Sequence, residues 1–364
     1  MASRWAGTLT TEAPNPKLDL ADYVGQRRAT YTFEIVDIVT GYRETLNPIN
    51  GIVPTLMHTT SGTIKRQVTN LTFGVEDTVK FNSLRSRLEI FMILETQRYP
   101  LGRYMASNQL RLKSTAGTQS NQSFFDEGFI VDQEITESFG SITSSEQITS
   151  MLTRFLGEYP VDFTIEFSPY ANTVSWGIGT RGGYIIEQLA LDGDWFSPWF
   201  DNNNVMRFIR AFDPATAIPT FNLDEGNKVF RSGIIESDDL LSAPNRFIVI
   251  SNGTSSVGSM SAPAVGVYDI PTSAPHSIAN RGFVIPKTET RQLQNSNQAE
   301  AVARNLGQQS TVFETITLDT APDPRHDSYD VLRWEGSNWL EIAWSLPLVE
   351  GANMRHIARK AYND

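Results

Sequence analysis

No cysteine occurs among the 364 residues of this chain. That excludes disulfides, thiolate nucleophiles and Cys-based zinc sites together, and it suits a protein made in a reducing cytoplasm that must later persist elsewhere. Long apolar runs are missing as well. The longest, Ile90 to Leu94, falls far short of the roughly 20 residues a membrane helix needs, so no membrane span is expected. Met1 to Gly7 shows no charged start leading into a hydrophobic stretch, so no secretory signal is expected either. Basic charge is also short: 30 Lys and Arg stand against 41 Asp and Glu, for a formal net charge of −11. Binding to nucleic acid irrespective of sequence draws its energy from cations that neutralise phosphates. The balance here suits a surface that must not stick to DNA. The short basic clusters, Gln26-Arg27-Arg28, Lys65-Arg66, Arg85 with Arg87, and Arg355 to Lys360, read as solvated faces or subunit contacts.

Catalytic signatures are scarce. The sequence holds no G-x-S-x-G elbow, no S-x-x-K and no P-loop lysine. Gly177-Ile178-Gly179-Thr180-Arg181-Gly182 matches G-x-G-x-x-G, with Asp201 downstream. A pyrophosphate site needs a buried parallel strand before that motif, whereas Asn172, Thr173 and Ser175 precede it here, so the glycines read as a tight turn into a helix. His326, Asp327 and Asp330 are spaced as metal ligands can be, yet Pro322 and Pro324 make that stretch a turn between strands. His58, His276 and His356 lie far apart in sequence, and no histidine falls in an HExxH motif. Asp192-Gly193-Asp194 and Asp201 to Asn204 lack EF-hand spacing and read as solvated loops. A carboxylate pair for glycoside hydrolysis would exist only in three dimensions. No catalytic, cofactor-binding or metal-binding residue is therefore assigned, and no enzyme activity is expected. The densest aromatic group, Trp176, Trp195, Phe196, Trp199 and Phe200, either stacks on sugars or packs in a core or interface, the second being the plainer reading.

With 40% hydrophobic and 20% charged residues the chain has the composition of a folded protein, and its length predicts several domains. Residues 1–24 carry Pro14 and Pro16 and read as an extended arm. From Tyr31, aromatic and aliphatic residues alternate with polar ones, and short strands follow to about residue 115, including Ile64 to Val75, Val79 to Phe81 and Leu88 to Met92. The polar stretch Ser114 to Ser123 marks a boundary. Ile148, Met151, Leu152, Phe155 and Leu156 then form one helical face, with Ser144 and Gln147 as a capping box and Gly157 as its end. A strand from Val161 to Phe167 and a helix from Gly183 to Leu191 complete an α/β insert. Strands return from Met206, residues 251–275 read as a long loop, and a helix presents Ala299, Val302, Ala303 and Leu306 on one face. Asp330 to Trp334, the turn Glu335 to Asn338, and Leu340, Ile342, Trp344 and Leu346 predict a hairpin.

The order of these segments resembles the hub proteins at the tip of phage tails, related to contractile-phage baseplate hubs and to the tail-tip proteins of siphophages. The resemblance rests on Tyr31 to Val39, on Trp176-Gly177-Ile178-Gly179-Thr180 and Trp199-Phe200-Asp201, and on Ser237-Asp238-Asp239 with Asn245 to Ile250. It continues with the helix Asn297 to Leu306, the turn Ala321-Pro322-Asp323-Pro324, and Asp330-Val331-Leu332, where Tyr329 stands in place of the usual glycine. It implies a β-rich α+β fold of two tube-like antiparallel β-barrels with inserted α/β domains. Residues 25–115 would form the first barrel, 116–204 the α/β insert, 205–250 and 308–364 the second barrel, and 251–307 a loop and helix insert. The implied function is that of a structural hub subunit, a homotrimer whose ring joins the tail tube to a central fibre or spike and conducts DNA during ejection. The implied partners are the distal tail protein, the tail tube protein and the tape measure protein, with the chain in the virion tail tip after synthesis in the host cytoplasm. The rival readings are a carbohydrate- or receptor-binding virion protein and, behind it, a glycoside hydrolase.

Overall fold

The computed structural model describes residues 29–49, 53–74, 77, 85–114, 117–140, 147–157, 159–163, 175–224, 229–239, 241–251, 263–291, 293, 295–310 and 313–362. The expected arm 1–24, the basic triplet 26–28, the run 79–81 and Ser144 lie outside them. The chain opens with β1 (Ala29–Asp37), β2 (Arg43–Leu46), β3 (Thr55–Thr59), β4 (Arg66–Phe73), β5 (Ser86–Leu94), β6 (Gln97–Ser114) and β7 (Gly117–Phe125). A mixed stretch follows: α1 (Gly128–Val131), β8 (Phe139–Gly140), α2 (Ile148–Leu156), β9 (Val161–Phe163), β10 (Ser175–Trp176), α3 (Gly182–Asp192), β11 (Trp199–Phe200), β12 (Met206–Phe208), β13 (Phe221–Asn222) and β14 (Val229–Asp238). Then come β15 (Arg246–Ser251), β16 (Val265–Asp269), α4 (Ile278–Arg281), β17 (Pro286–Arg291) and α5 (Ser296–Ser310). The chain finishes with β18 (Glu314–Thr320), β19 (Val331–Trp334), β20 (Ser337–Pro347) and β21 (Met354–Lys360).

Strands from both ends of the chain share one sheet, in the order β14-β18-β21-β20-β3-β4-β7-β6-β5-β1-β2, with β19 and β13 branching from β20. Two long strands let the sheet change direction. β6 pairs first with β5 and then with β7, and β20 pairs first with β19 and then with β3. In β1 and β5 the alternation seen in sequence becomes an inward face, Phe33 opposite Ile90 and Ile35 opposite Leu88, all buried. These residues join Val68, Leu71, Phe73, Phe124, Trp344 and Leu346 in the first core. Beyond β2, Pro48 bridges Phe73 and the Ile49 N–H donates to Thr72 O at 2.8 Å, so the far edge curls back onto β4. A second core forms where Phe221, Ile316, Leu318, Leu332, Trp334 and Trp339 meet. Among the described residues no ladder joins the two ends of the strand path, β14 and β2.

The polar stretch Ser114 to Ser123 is no linker: β6 and β7 run through it as a paired hairpin, Ser114 opposite Gly117. The stretch read as a loop from 251 to 275 contains β16, which pairs with β15 while β17 flanks β15 on its other side. Arg246 to Ile250, assigned above to the second barrel, thus belong to a separate three-stranded sheet covered by α5. The hairpin at 331–346 forms with a tighter turn than expected. Trp334 pairs with Ser337, and Glu335 (φ 47°) and Gly336 (φ 71°) both take positive φ, the two-residue turn whose twist matches antiparallel strands.

The insert packs around α2 and α3. Ile148, Met151, Leu152 and Leu156 bury one face of α2 against Ile185, Ile186 and Leu189 of α3, with Trp195 and Phe208 beneath. The helix ends at Gly157 (φ 64°), whose N–H donates to Thr153 O at 2.9 Å. Its start differs from the expected capping box: Gln147 itself is the N-cap, in extended backbone, and no side-chain cap forms there.

Candidate functional site

The most unusual feature of the described residues is a buried polar seam where the first strands, the insert and the last strands meet. β20 and β21 supply its centre. Side chains alternate along a strand, so Glu341 and Trp344, three apart, should face opposite ways. The register shift between Glu341 and Ala343 inserts an extra residue into β20 and brings Glu341 to the same side as Trp344. Trp344 is paired with His356, so Glu341 and His356 end up side by side, both 1% exposed. The loop 321–330 between β18 and β19 folds over them and delivers His326, Asp327, Ser328 and Asp330.

Glu341 bridges two imidazoles. Its Oε1 lies 2.5 Å from His356 Nδ1 and its Oε2 lies 3.1 Å from His326 Nδ1, which also faces Asp330 Oδ2 at 3.4 Å. His356 Nε2 meets Thr320 Oγ1 at 2.7 Å. The His326 ring stacks on Phe221 with centroids 3.9 Å apart. Burial alone would lower the His326 pKa, but Glu341 and Asp330 outweigh it and raise it to about 10. Burial works against the Glu341 carboxylate, yet the two imidazoles hold it down at about 2. For His356 burial wins and the ring is pushed toward the neutral form. The cluster therefore carries one imidazolium between carboxylates.

The start of β4 and the residue before it supply cations to the same seam. Arg66, 1% exposed, donates from Nη2 to Asp327 Oδ1 at 2.7 Å and from Nη1 to Asn202 Oδ1 at 2.5 Å, with its guanidinium 5.7 Å from the centre of the Trp344 ring. Asn202 in turn donates to Pro324 O at 2.7 Å. Lys65 donates from Nζ to Thr60 O (2.6 Å) and Ser197 Oγ (3.0 Å), and burial pulls its pKa down to about 8. Both backbone N–H groups of this pair donate to Asp126 Oδ2, at 3.0 and 2.8 Å. Burial raises the Asp126 pKa to about 6 against the pull of those donors. His58 Nε2 meets Ser328 Oγ at 3.0 Å. Lys65-Arg66 is thus neither a solvated face nor a free patch. It is the polar link between the first strands, the insert and the loop 321–330.

Of the three residues weighed as ligands in the sequence, His326 meets both Asp330 and Glu341, while Asp327 turns to Arg66. His356 joins them, and His326, Glu341 and His356 offer ligating atoms that all lie within 4.8 Å of one another. His276 sits elsewhere, stacked on Phe313. Sequence reasoning missed Glu341, whose one signal was a carboxylate inside the apolar run Leu340 to Leu346. The glycine motif forms a turn, Thr180 N–H to Gly177 O, after an antiparallel strand pair. Its last glycine, Gly182, is there for close packing: a Cβ would lie 2.1 Å from Val131 O. Asp201 and Asn204 are buried rather than solvated, Asp201 pairing with Arg207 at 2.6 Å. Trp176, Trp195, Phe196, Trp199 and Phe200 are all buried, Trp195 at 0% exposure, which leaves this group no open face for a sugar.

About nine-tenths of the chain has counterparts among solved structures. A tail protein from Neisseria meningitidis MC58 superposes with a TM-score of 0.59 at 11% identity, covering 91% of this chain and 96% of its own. The 43 kDa tail protein of prophage MuSo2 from Shewanella oneidensis gives 0.56 at 10% identity over 90% and 98%. This chain shares its fold with prophage tail proteins. Prophage tail protein gp18 from Listeria monocytogenes EGD-e gives 0.53 at 11% identity over 90% and 94%. Such low identity makes this a likeness of fold. No protein-family model and no curated protein sequence matches the chain.

Proposed function

We propose that the chain is a non-catalytic structural subunit of a bacteriophage tail tip, the baseplate hub. The observation that carries this reading is the superposition on tail proteins, two of them from prophages, over nine-tenths or more of both chains. Two features of the fold support it. The first strands curl around one core until Pro48 and Ile49 touch β4, and the last strands pack on a second core. If each core is one tube-like unit, three copies present six similar units to a six-fold tube and a three-fold tip, a closed symmetric ring. The buried seam of Arg66, Glu341 and His326 then locks the two units and the insert into one rigid part.

In this role three copies form a ring that joins the tail tube to a central fibre or spike, with the distal tail and tape measure proteins as neighbours. The net charge of −11 keeps DNA from adhering as it passes. Host contact opens the path by repacking the ring. The virion tail tip is the proposed location. The rival carbohydrate-binding reading loses its support with the burial of Trp195 and Trp199. Gold-labelled antibody against the chain, imaged on intact particles, tests the proposal: label confined to the tail tip supports it, and label on the head, on peripheral fibres only, or absent from the particle overturns it.

A further inference from the structure

We propose that His326, Asp330, Glu341 and His356 bind a divalent transition-metal ion of the zinc class, which clamps the loop 321–330 to β20 and β21. His326, Glu341 and His356 form the centre of the donor set, and Asp330, 3.4 Å from His326 Nδ1, stands beside it as the second carboxylate. His326, Glu341 and His356 place their ligating atoms within 4.8 Å of one another, and all four residues are at most 8% exposed. Zinc takes four such donors at about 2.0–2.2 Å in a tetrahedron, which sets neighbouring donor atoms about 3.3 Å apart. His326 Nδ1 stands 3.1 Å from Glu341 Oε2 and 3.4 Å from Asp330 Oδ2, close to that spacing. His356 Nδ1 faces the other oxygen of Glu341, Oε1, at 2.5 Å, so both imidazoles reach one ion only if the ring of His356 draws back and Glu341 turns to offer a single oxygen or binds through both.

The surroundings fit ligands held in place from behind. Metal-bound histidines usually donate their other ring N–H to a fixed acceptor. Thr320 Oγ1 lies 2.7 Å from His356 Nε2 and 3.0 Å from Ala321 O. With its proton on Ala321 O, the hydroxyl accepts from His356 Nε2 and leaves Nδ1 as the ligand. The His326 ring is fixed by its stack on Phe221. Metal binding must release the proton that His326 otherwise carries; the two carboxylates with two neutral imidazoles then carry two negative charges, which a dication neutralises in a buried place. Imidazole donors favour zinc, copper or nickel over calcium and magnesium.

The test uses the full, untagged chain stripped with a chelator and titrated with Zn2+, Ca2+ and Co2+. The expected result is about one Zn2+ per chain by elemental analysis, no comparable uptake of Ca2+, and visible absorption from tetrahedral Co2+. His356→Gln and Asp330→Asn should each weaken Zn2+ binding at least tenfold, while His276→Gln, away from the cluster, leaves it unchanged. Because the Co2+ spectrum is read on the unaltered chain, a variant that fails to fold does not decide the matter. Fewer than ~0.1 ions per chain in the unaltered protein, or binding retained in folded His356→Gln and Asp330→Asn, overturns the proposal. It stands or falls independently of the tail-tip reading.

Discussion

Arg66→Met keeps the length and most of the apolar stem of a side chain that is 1% exposed, and removes only its charge and donors. Two hydrogen bonds vanish, Nη2 to Asp327 Oδ1 at 2.7 Å and Nη1 to Asn202 Oδ1 at 2.5 Å, together with the guanidinium's place over the Trp344 ring. Asp327 is left facing Asp201 and Asp330 without its counter-ion, and Asn202 keeps only its bond to Pro324 O. Breaking a fully buried ion pair from one side costs about 3–5 kcal/mol, and because Asp327 is 28% exposed and can meet water, the expected loss is about 2–3 kcal/mol. Such a loss is a large part of the stability of an ordinary domain. Urea denaturation followed by tryptophan fluorescence reads it directly, since Trp344 lies under the guanidinium. Arg85→Met is the control: that arginine is half exposed and pairs with Asp37 at the surface, so its midpoint should not move. Equal midpoints for the two variants would refute the claim that this seam holds the lobes together. The double change Arg66→Met with Asp327→Asn should recover part of the loss, because it removes the orphaned charge.

Other consequences are as definite. Tyr329 occupies φ 63°, where glycine is usual, and stacks on Phe196 at 4.2 Å. In Tyr329→Gly, relief of roughly 1–2 kcal/mol of backbone strain offsets part of the roughly 3–5 kcal/mol of lost aromatic packing, so denaturation should show a net loss of about 2–3 kcal/mol. A more stable variant would show that strain dominates. Leu152→Ala, in the middle of α2 and fully buried, should cost about 2–5 kcal/mol, and a loss under about 1 kcal/mol would mean the insert core is loosely packed. Asp126 has its pKa raised from 3.8 to about 6 by burial. The folded chain then holds this proton longer than the unfolded one, so stability from this group is fully present below about pH 4 and falls as pH rises through 6. Asp126→Asn should flatten that part of a melting-temperature profile, and an unchanged slope there would contradict the assignment.

What sequence made legible was what lies close along the chain. The face Ile148 to Leu156, the helix over Ala299 to Leu306 and the hairpin at 331–346 all appear near their expected places, since each is a periodic pattern within a few turns or one tight turn. The polar β6–β7 hairpin was misread because Ser, Thr, Asn and Gln show no alternation of apolar residues to announce a strand. β16 was lost in its Ser, Gly and Pro surroundings. The seam was illegible for another reason: Arg66 and Asp327 are separated by 261 positions. Glu341 reaches His356 only through a register shift in β20 that no local pattern announces. Burial of Lys65-Arg66 likewise depends on partners from the insert and from the loop 321–330, so a local reading made them surface residues.

The central claim is a ring-forming structural subunit, and the native mass of the purified chain tests it most directly. Native mass spectrometry across a concentration series should show a discrete species of three copies, with nothing larger growing in without limit. A strict monomer at every concentration, with no ring of this chain in isolated tail tips, would contradict the account.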